Sequence, residues 1–403
     1  MVDLVRTLDR APAWLRRAAS SVTEGRGPLG ALYDRVAHRF QAADIPSVPA
    51  PSGAAIRVLI GPANEAEQGY QWARAIERAD PRAHAVAMMG IDPGGFAVRS
   101  DLRVPTPVYL RSGAWHRAFA AYLETFTHVL MESGLPLLGR SSRSDAFREA
   151  AELRAAGVSV AMMFHGSDLR LPHVHREANE WSPFHSSEVP STLLGERAES
   201  NIAGVRRLAL PAFVSTPDLL QYLPEARWCP VVVDPAGWAV ERPPVPADRR
   251  LVVLHAPSSS RMKGSEEIEP LLRALEAEGL IEYRRVQGVR HEAMREQYAQ
   301  ADIVLDQFLI GSYGVAACEA MAAGCLVVGH VDEPTRSIVR ETTGLEVPVV
   351  QATVTSLEGV LRALAADPAP IAAGREAALG FVREVHDGRR SAAALAEFLA
   401  LTR

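Results

Sequence analysis

The sequence predicts two doubly wound α/β domains in tandem, preceded by a helical extension. Three observations lead there. The chain has 403 residues, and a single hydrophobic core stops growing near about 250–300 residues. Apolar strand-like runs alternate with amphipathic helical stretches, the pattern of a parallel sheet covered on both faces. A Pro-rich stretch at 235–248 interrupts that alternation, which then starts again. The resulting division is a helical extension and linker over 1–52, a first Rossmann-like domain over 53–236 and a second over 237–385. The closing helix, 386–403, is expected to pack back on the first domain.

The elements follow in order. Leu4, Leu8 and Trp14-Leu15-Arg16-Arg17 predict a short basic amphipathic helix, and a second helix is expected over 29–42. The first of these either packs on the main domain or lies against a membrane surface. Residues 45–53 carry three prolines and cannot be helical. A buried strand at 56–60 breaks at Gly61-Pro62-Ala63-Asn64, and a helix at 67–78 follows. Strands are then expected at 84–88, 127–131 and 158–164, and helices at 115–125 and 145–156. In the second half, strands at 251–254, 281–286, 302–305 and 326–329 alternate with helices at 266–278, 292–300 and 315–323. The stretch from 372 onward reads as helix. No heptad or solenoid repeat is present.

Composition narrows the function classes. The chain is 48% hydrophobic and 23% charged with a formal net charge of −5. It is too apolar for disorder and lacks the basic surplus of a dedicated nucleic-acid binder. Three cysteines, Cys229, Cys318 and Cys325, fit neither a disulfide framework nor a zinc site, so a reducing cytoplasm is expected. No run of eighteen apolar residues predicts a transmembrane helix. Asp3 and Arg6 precede any apolar stretch, which does not resemble a signal peptide.

Ligands of doubly wound sheets bind beyond the carboxyl ends of the strands, so chemistry is expected in the loops there. The loop HAPSSSRMKGS, 255–265, leaves a strand and enters a helix. It carries Arg261 and Lys263, and Lys263 is the only lysine in the chain. Genome-wide arginine bias with one survivor would explain that, and so would a position needing a compact ammonium. Two cations beside a helix N-terminus can neutralise a diphosphate. A second loop, DQFLIGSYG at 306–314, opens a helix rich in small residues. Gly311 and Gly314 allow close backbone approach, and Glu319 is the only charged group of that helix. A buried carboxylate needs a partner, either a vicinal diol or a nearby arginine. In the first half, His165 and the following Gly-Ser-Asp168-Leu-Arg170 leave an apolar strand. His165 either meets a substrate hydroxyl or is a structural histidine held by Asp168. Asn64, Gln68 and Gly69 occupy the first strand-to-helix turn. No two aspartates stand two apart, so a metal-binding D-x-D pair is missing.

The combination of HAPSSSRMKGS, ADIVLDQFLIGSYG and EAMAAGCLVVG resembles the donor-binding half of GT-B glycosyltransferases of the family-4 type. It is most similar to a bacterial subgroup with DQxxxGxYG before EAMAxG. The resemblance covers about residues 250–330 strongly and the first half weakly. It implies transfer of a sugar from a nucleoside-diphosphate sugar, such as a UDP-sugar, to an acceptor hydroxyl, with retention of configuration and no essential metal or other cofactor. Arg261, Lys263 and Gly264 match the diphosphate loop. Glu319 matches the ribose carboxylate. Gly311, Ser312, Tyr313 and Gly314 match the loop around the donor sugar, and Val289 and Arg290 the nucleobase loop. His165 joins Arg261 and Lys263 as a residue of the chemistry. Asn64, Gln68, Gly69, Asp168 and Arg170 fall on the acceptor side. Typical members carry a further Glu where this chain has Gly311, and a basic residue and proline where it has Cys325-Leu326. The acceptor would be a glycan, a lipid-linked group or a natural product, with no nucleic-acid partner, in biosynthesis of a polysaccharide or glycoconjugate. The location implied is cytoplasmic, with a peripheral membrane contact through the basic N-terminal helix. Two other readings stay open: a non-catalytic nucleotide-binding protein of the same fold, and a nucleotide-sugar 2-epimerase-like enzyme.

Overall fold

The computed structural model describes residues 45–91, 98–139, 145–242, 249–257 and 260–401. The helices expected within 1–42, and Ser258 and Ser259 of the HAPSSSRMKGS loop, lie outside the described residues.

The first half forms a seven-stranded, all-parallel sheet. In chain order its strands are β1 (Ile56–Gly61), β2 (Ala83–Ile91), β3 (Leu102–Pro105), β4 (His128–Glu132), β5 (Ser159–Phe164), β6 (Ala212–Val214) and β7 (Arg227–Trp228). Their spatial order is β3-β2-β1-β4-β5-β6-β7. Central strands such as β5 are buried along almost their whole length because helices cover both faces. One apolar layer joins Leu59, Val129 and Met162 to Trp115, Phe119 and Phe147. The other joins Val58, Ile60 and Ala161 to Trp72 and Ile76 of the helix Gln68–Ala79.

The second half has five parallel strands: β8 (Leu251–His255), β9 (Ile281–Arg285), β10 (Ile303–Leu305), β11 (Leu326–Gly329) and β12 (Val349–Gln351), in the order β12-β11-β10-β8-β9. Leu251, Val253, Ile303 and Val328 pack on Ile268 and Leu272 of the helix Ser265–Ala277. In both sheets the order reverses between β1 and β4 and between β8 and β10. Those crevices are where such sheets take ligands.

The predicted last helix is two. Ala369–Val385 packs beside the helix Val315–Ala322 of the second domain. The chain then turns at Gly388, in the left-handed region at φ 99, where an added Cβ would lie 2.9 Å from the Ala75 Cβ. Beyond it, Arg389–Leu399 docks on the helix Gln68–Ala79 of the first domain. Leu395 and Leu399 are each 1% exposed in that contact, and burying each stabilises the docking by roughly 1.5–3 kcal/mol. The chain therefore crosses between the domains twice. The crossings are tied together: His386 Nδ1 donates to the Val231 carbonyl at 2.8 Å, and the Val233 amide donates to the His386 carbonyl at 2.9 Å. Among the described residues no helix is long and apolar enough to cross a membrane. All three cysteines are buried and free.

Candidate functional site: a cleft between two sheets

The carboxyl ends of both sheets open on one cleft of about 1130 Å³. Its C-terminal wall is built from the loops after β8, β9 and β10. His255 ends β8, fully buried. Its Nδ1 donates to the Leu305 carbonyl at 3.0 Å, and its Nε2 accepts from the Ser265 hydroxyl at 2.7 Å. Burial holds its pKa down at about 4, so this link is neutral. The next turn, Ser260–Lys263, sends the Lys263 ammonium into the cleft, 2.8 Å from Asp306 Oδ1 at the end of β10. The Lys263 carbonyl accepts from the Phe308 amide at 3.0 Å, joining the two loops.

Arg261 requires a correction. It is not among the cleft residues. Its Nε lies 2.7 Å from Glu188 Oε2 at the protein surface. Residues two apart on a helical turn are about 200° apart around the axis, so Arg261 and Lys263 leave the turn in different directions. Gly264 is also off the cleft, at φ 78, with the Leu309 side chain 2.9 Å from where its Cβ would be.

The loop after β10 divides at Gly311. Ser312, Tyr313 and Gly314 line the cleft, but Gly311 does not. Its φ is 75, and a Cβ there would sit 2.7 Å from Asp332 Oδ2. Its carbonyl accepts from the Asp332 amide and the Thr335 hydroxyl. A glutamate here, as in the resembled family, would need a strained left-handed backbone and a shift of the Asp332 carboxylate. The Tyr313 hydroxyl donates to His386 Nε2 at 3.3 Å, which links the loop to the interdomain crossing.

Glu319 reaches the cleft from the helix Val315–Ala322, and its partner is a histidine. His291 Nε2 lies 2.5 Å from Glu319 Oε1. Burial raises the Glu319 pKa while His291 pulls it down, and the net direction is up. The hydrogen bond to Glu319 raises the His291 pKa against burial. His291 Nδ1 is 4.0 Å from Glu67 Oε2 of the first domain, and its ring stands edge-on to Trp238. Val289 lines the cleft, whereas Arg290 is exposed and lies off it.

Behind the N-terminal wall lies Glu132, the fully buried last residue of β4. Its Oε2 accepts from the Ala63 amide at 3.0 Å and the Asn64 amide at 2.8 Å. Its Oε1 is 3.2 Å from His165 Nε2, an ion-pair contact whose N–H is not aligned as a hydrogen bond. The His165 ring stacks on Trp72 at 5.6 Å. Burial lowers its pKa, but Glu132, Asp168 and Glu65 outweigh burial and the net direction is up. Asp168 therefore holds the backbone of this loop rather than the ring, accepting from the His165 and Gly166 amides.

Of the other acceptor-side residues, Asn64 and Arg170 line the cleft. Arg170 is paired at 2.5 Å with buried Asp218. Gln68, Gly69 and Asp168 lie off the cleft. The Gln68 amide is spent on the Val232 backbone, donating to its carbonyl at 3.1 Å and accepting its amide at 2.6 Å. Gly69 gives room to Asn64 and Glu132, both within 3.4 Å of where its Cβ would be. Sequence reasoning missed Glu65, Glu132, His291 and the Asp218 partner of Arg170. Glu132 alone had a readable signal, an acid directly after the apolar Val129-Leu130-Met131. Among the described residues no group of three or more His, Cys, Asp or Glu is placed to hold a metal ion.

No protein-family model matches the chain, and no curated protein is similar to it in sequence. Solved structures are similar in fold. Sucrose-phosphate synthase from Thermosynechococcus elongatus superposes with a TM-score of 0.54 at 14% identity, over 85% of this chain and 98% of that one. HepE of Anabaena, in complex with UDP and glucose, gives 0.54 at 12% identity, over 85% and 99%. WaaG, a glycosyltransferase involved in lipopolysaccharide biosynthesis, gives 0.50 at 14%, over 84% and 99%.

The fold is GT-B.

In these terms the second domain supplies Lys263, Ser312, Tyr313, Gly314 and Glu319 to the GT-B cleft. The first domain supplies Asn64, Glu65, His165 and Arg170.

Proposed function

We propose that this protein is a glycosyltransferase that moves a sugar from a nucleoside-diphosphate sugar to an acceptor hydroxyl. One observation carries the reading. The only lysine of the chain and the only charged group of the helix Val315–Ala322 line the same cleft together with the turn at residues 312–314. An ammonium for a diphosphate and a carboxylate for a ribose diol are the complement of a nucleoside diphosphate. HepE, with the same fold, has been solved with UDP-glucose, which supports UDP as the first nucleotide to test.

The difficult step is departure of the diphosphate. Lys263 would neutralise the charge that develops there, preorganised by Asp306 and the His255 link. Closure of the two domains would exclude water. With Lys263 in that role no metal is required. The resemblance to family-4 enzymes and their DQxxxGxYG subgroup carries retention of configuration with it. The acceptor class is a glycan, lipid-linked group or natural product, met from the first domain, in a cytoplasmic or membrane-peripheral setting.

The test is a thermal-shift panel of nucleoside diphosphates and their sugars, followed by assay of diphosphate release. UDP is expected to raise the melting temperature in a concentration-dependent way. If no nucleotide stabilises the folded protein, the reading is wrong. The carboxylates Glu65 and Glu132 beside His165 also favour a second reading, an epimerase-like acid–base reaction on the donor alone. Incubation with donor and no acceptor separates the two: an isomerised, intact nucleotide sugar would mark the epimerase.

A further inference from the structure

Glu319 is 5% exposed, on a helix with no other charged side chain. An ionised carboxylate that deep needs a counter-charge and a hydrogen bond. His291 supplies them, with its Nε2 2.5 Å from Glu319 Oε1. Among the described residues the Glu319 carboxylate has no other hydrogen bond or ion pair, so its second oxygen is uncommitted while the residue lines the cleft. His291 is itself held. It opens the turn His291–Ala293 after β9, beyond Gly288, which is left-handed at φ 68. Trp238 stands edge-on to its ring with centroids 5.4 Å apart, and Trp238 in turn packs on Tyr298 at 5.7 Å. On the far side, Nδ1 is 4.0 Å from Glu67 Oε2, beyond hydrogen-bond reach. Glu67 is already gripped by Arg99 and Gln71. The His291 side chain is 26% exposed and lines the cleft with Val289.

Resting on the glycosyltransferase reading, we propose that His291 is a positioning residue of the ribose site. It holds Glu319 in the orientation and charge state that accept the two ribose hydroxyls. It thereby sets the preference for a ribonucleotide over a nucleotide lacking them.

The charge state matters because a vicinal diol brings two donors. An ionised carboxylate accepts at both oxygens, whereas a protonated one spends an oxygen on its own O–H. Burial raises the Glu319 pKa, His291 pulls it down, Glu67 pushes it up and Lys263 pulls it down, with the net direction up. The hydrogen bond to Glu319 raises the His291 pKa and burial lowers it. The Glu319 and Glu67 charges add to the rise, and Arg99 opposes it. Burial pushes the Tyr298 phenol up, so it adds no charge. Without His291 the Glu319 carboxylate takes its proton at a higher pH, and recognition of the diol fails from that higher pH downward.

The experiment is calorimetric titration of the full chain with UDP, ADP and GDP, each beside its 2′,3′-dideoxy form. The ratio of the two dissociation constants reports the diol alone, because base and phosphates titrate alike in both. Wild type should prefer the ribonucleotide by at least about 10²-fold, as two hydrogen bonds to a charged group require. His291→Gln should cut that preference by at least about tenfold and bind the dideoxy nucleotide within about twofold of wild type. As pH falls, the preference should collapse at a higher pH in His291→Gln than in wild type. In a Glu319→Gln background, His291→Gln should change the ratio no further, the coupling expected of a residue that acts through Glu319. An undiminished preference in folded His291→Gln, tighter ribonucleotide binding by it, an equal loss for both nucleotides, or an additive effect in the Glu319→Gln background each overturns the assignment of His291. Wild type that binds none of the three nucleotides, or that shows no preference for the diol, overturns the donor-site reading itself, and this inference with it.

Discussion

On the C-terminal wall of the cleft the polar groups come from short contiguous stretches. Lys263 comes from the turn after β8, His291 from the segment after β9, and Ser312, Tyr313, Gly314 and Glu319 from the loop after β10 and the helix it opens. On the N-terminal wall the lining groups come from different strand ends, among them Glu65 after β1 and His165 after β5, and are backed by buried acids from others, Glu132 of β4 behind His165 and Asp218 after β6 behind Arg170. Under the proposed function the first wall would meet the fixed charge of a nucleoside diphosphate, and the second would place groups from several strand ends around the acceptor hydroxyl. Nucleotide binding should therefore follow the C-terminal wall alone, and turnover both.

The largest break in that comparison is Glu319→Ala. Hydrogen bonds to a charged group are worth about 1.5–3 kcal/mol each, so losing two of them should weaken UDP binding by at least about 10²-fold in calorimetry. The circular dichroism spectrum should not change. An unchanged Kd would remove Glu319 from the ribose.

Next in size is the tie between the walls. His386 is 1% exposed, and burial holds its pKa at about 4, below the ordinary 6.5. Above pH 6.5 both folded and unfolded chains carry it neutral, and its contribution is whole. Between 6.5 and about 4 only the unfolded chain takes up the proton, so stability is lost as pH falls through that window, by about 3 kcal/mol at most. Chemical denaturation of wild type and His386→Gln at pH 7 and pH 5 measures it. The gap between the two pH values should shrink in the variant.

Glu132→Gln should act on the N-terminal wall only. It removes a buried charge that accepts two backbone amides, costing about 2 kcal/mol of unfolding free energy and lowering the melting temperature. UDP affinity should stay within a few-fold of wild type. A large loss of UDP affinity would show that the two walls are not separable.

Gly311→Ala is the smallest of the four. A left-handed φ costs an L-residue about 1–2 kcal/mol, and the Asp332 carboxylate must move as well. UDP affinity should change little, since position 311 lies behind the cleft. A large affinity loss with no change in melting temperature would return Gly311 to the donor site.

The strands were readable wherever a covered parallel sheet demands continuous apolar runs, as in 159–164 and 251–255. β3, β6 and β7 were not, because four, three and two residues are too short to show a period. The helix Ser191–Leu208 escaped for another reason: it buries only Ala198, Asn201, Ile202, Gly204 and Val205, so its apolar stripe is thin. Lys263 and Glu319 stood out because each is alone of its kind in its setting. Arg261 misled because neighbours in sequence point apart on a helical turn. Glu65 and His291 were silent, because nothing local distinguishes a functional acid or histidine from a solvated one.

The most direct test is calorimetric titration of UDP into wild type and into Lys263→Met combined with Asp306→Asn. The second change avoids leaving Asp306 as an unpaired buried charge. Wild type should bind one UDP per chain, and the folded double variant should lose most of that affinity. Equal binding by the two proteins, or no binding by wild type, would contradict a nucleotide-sugar site on the C-terminal wall.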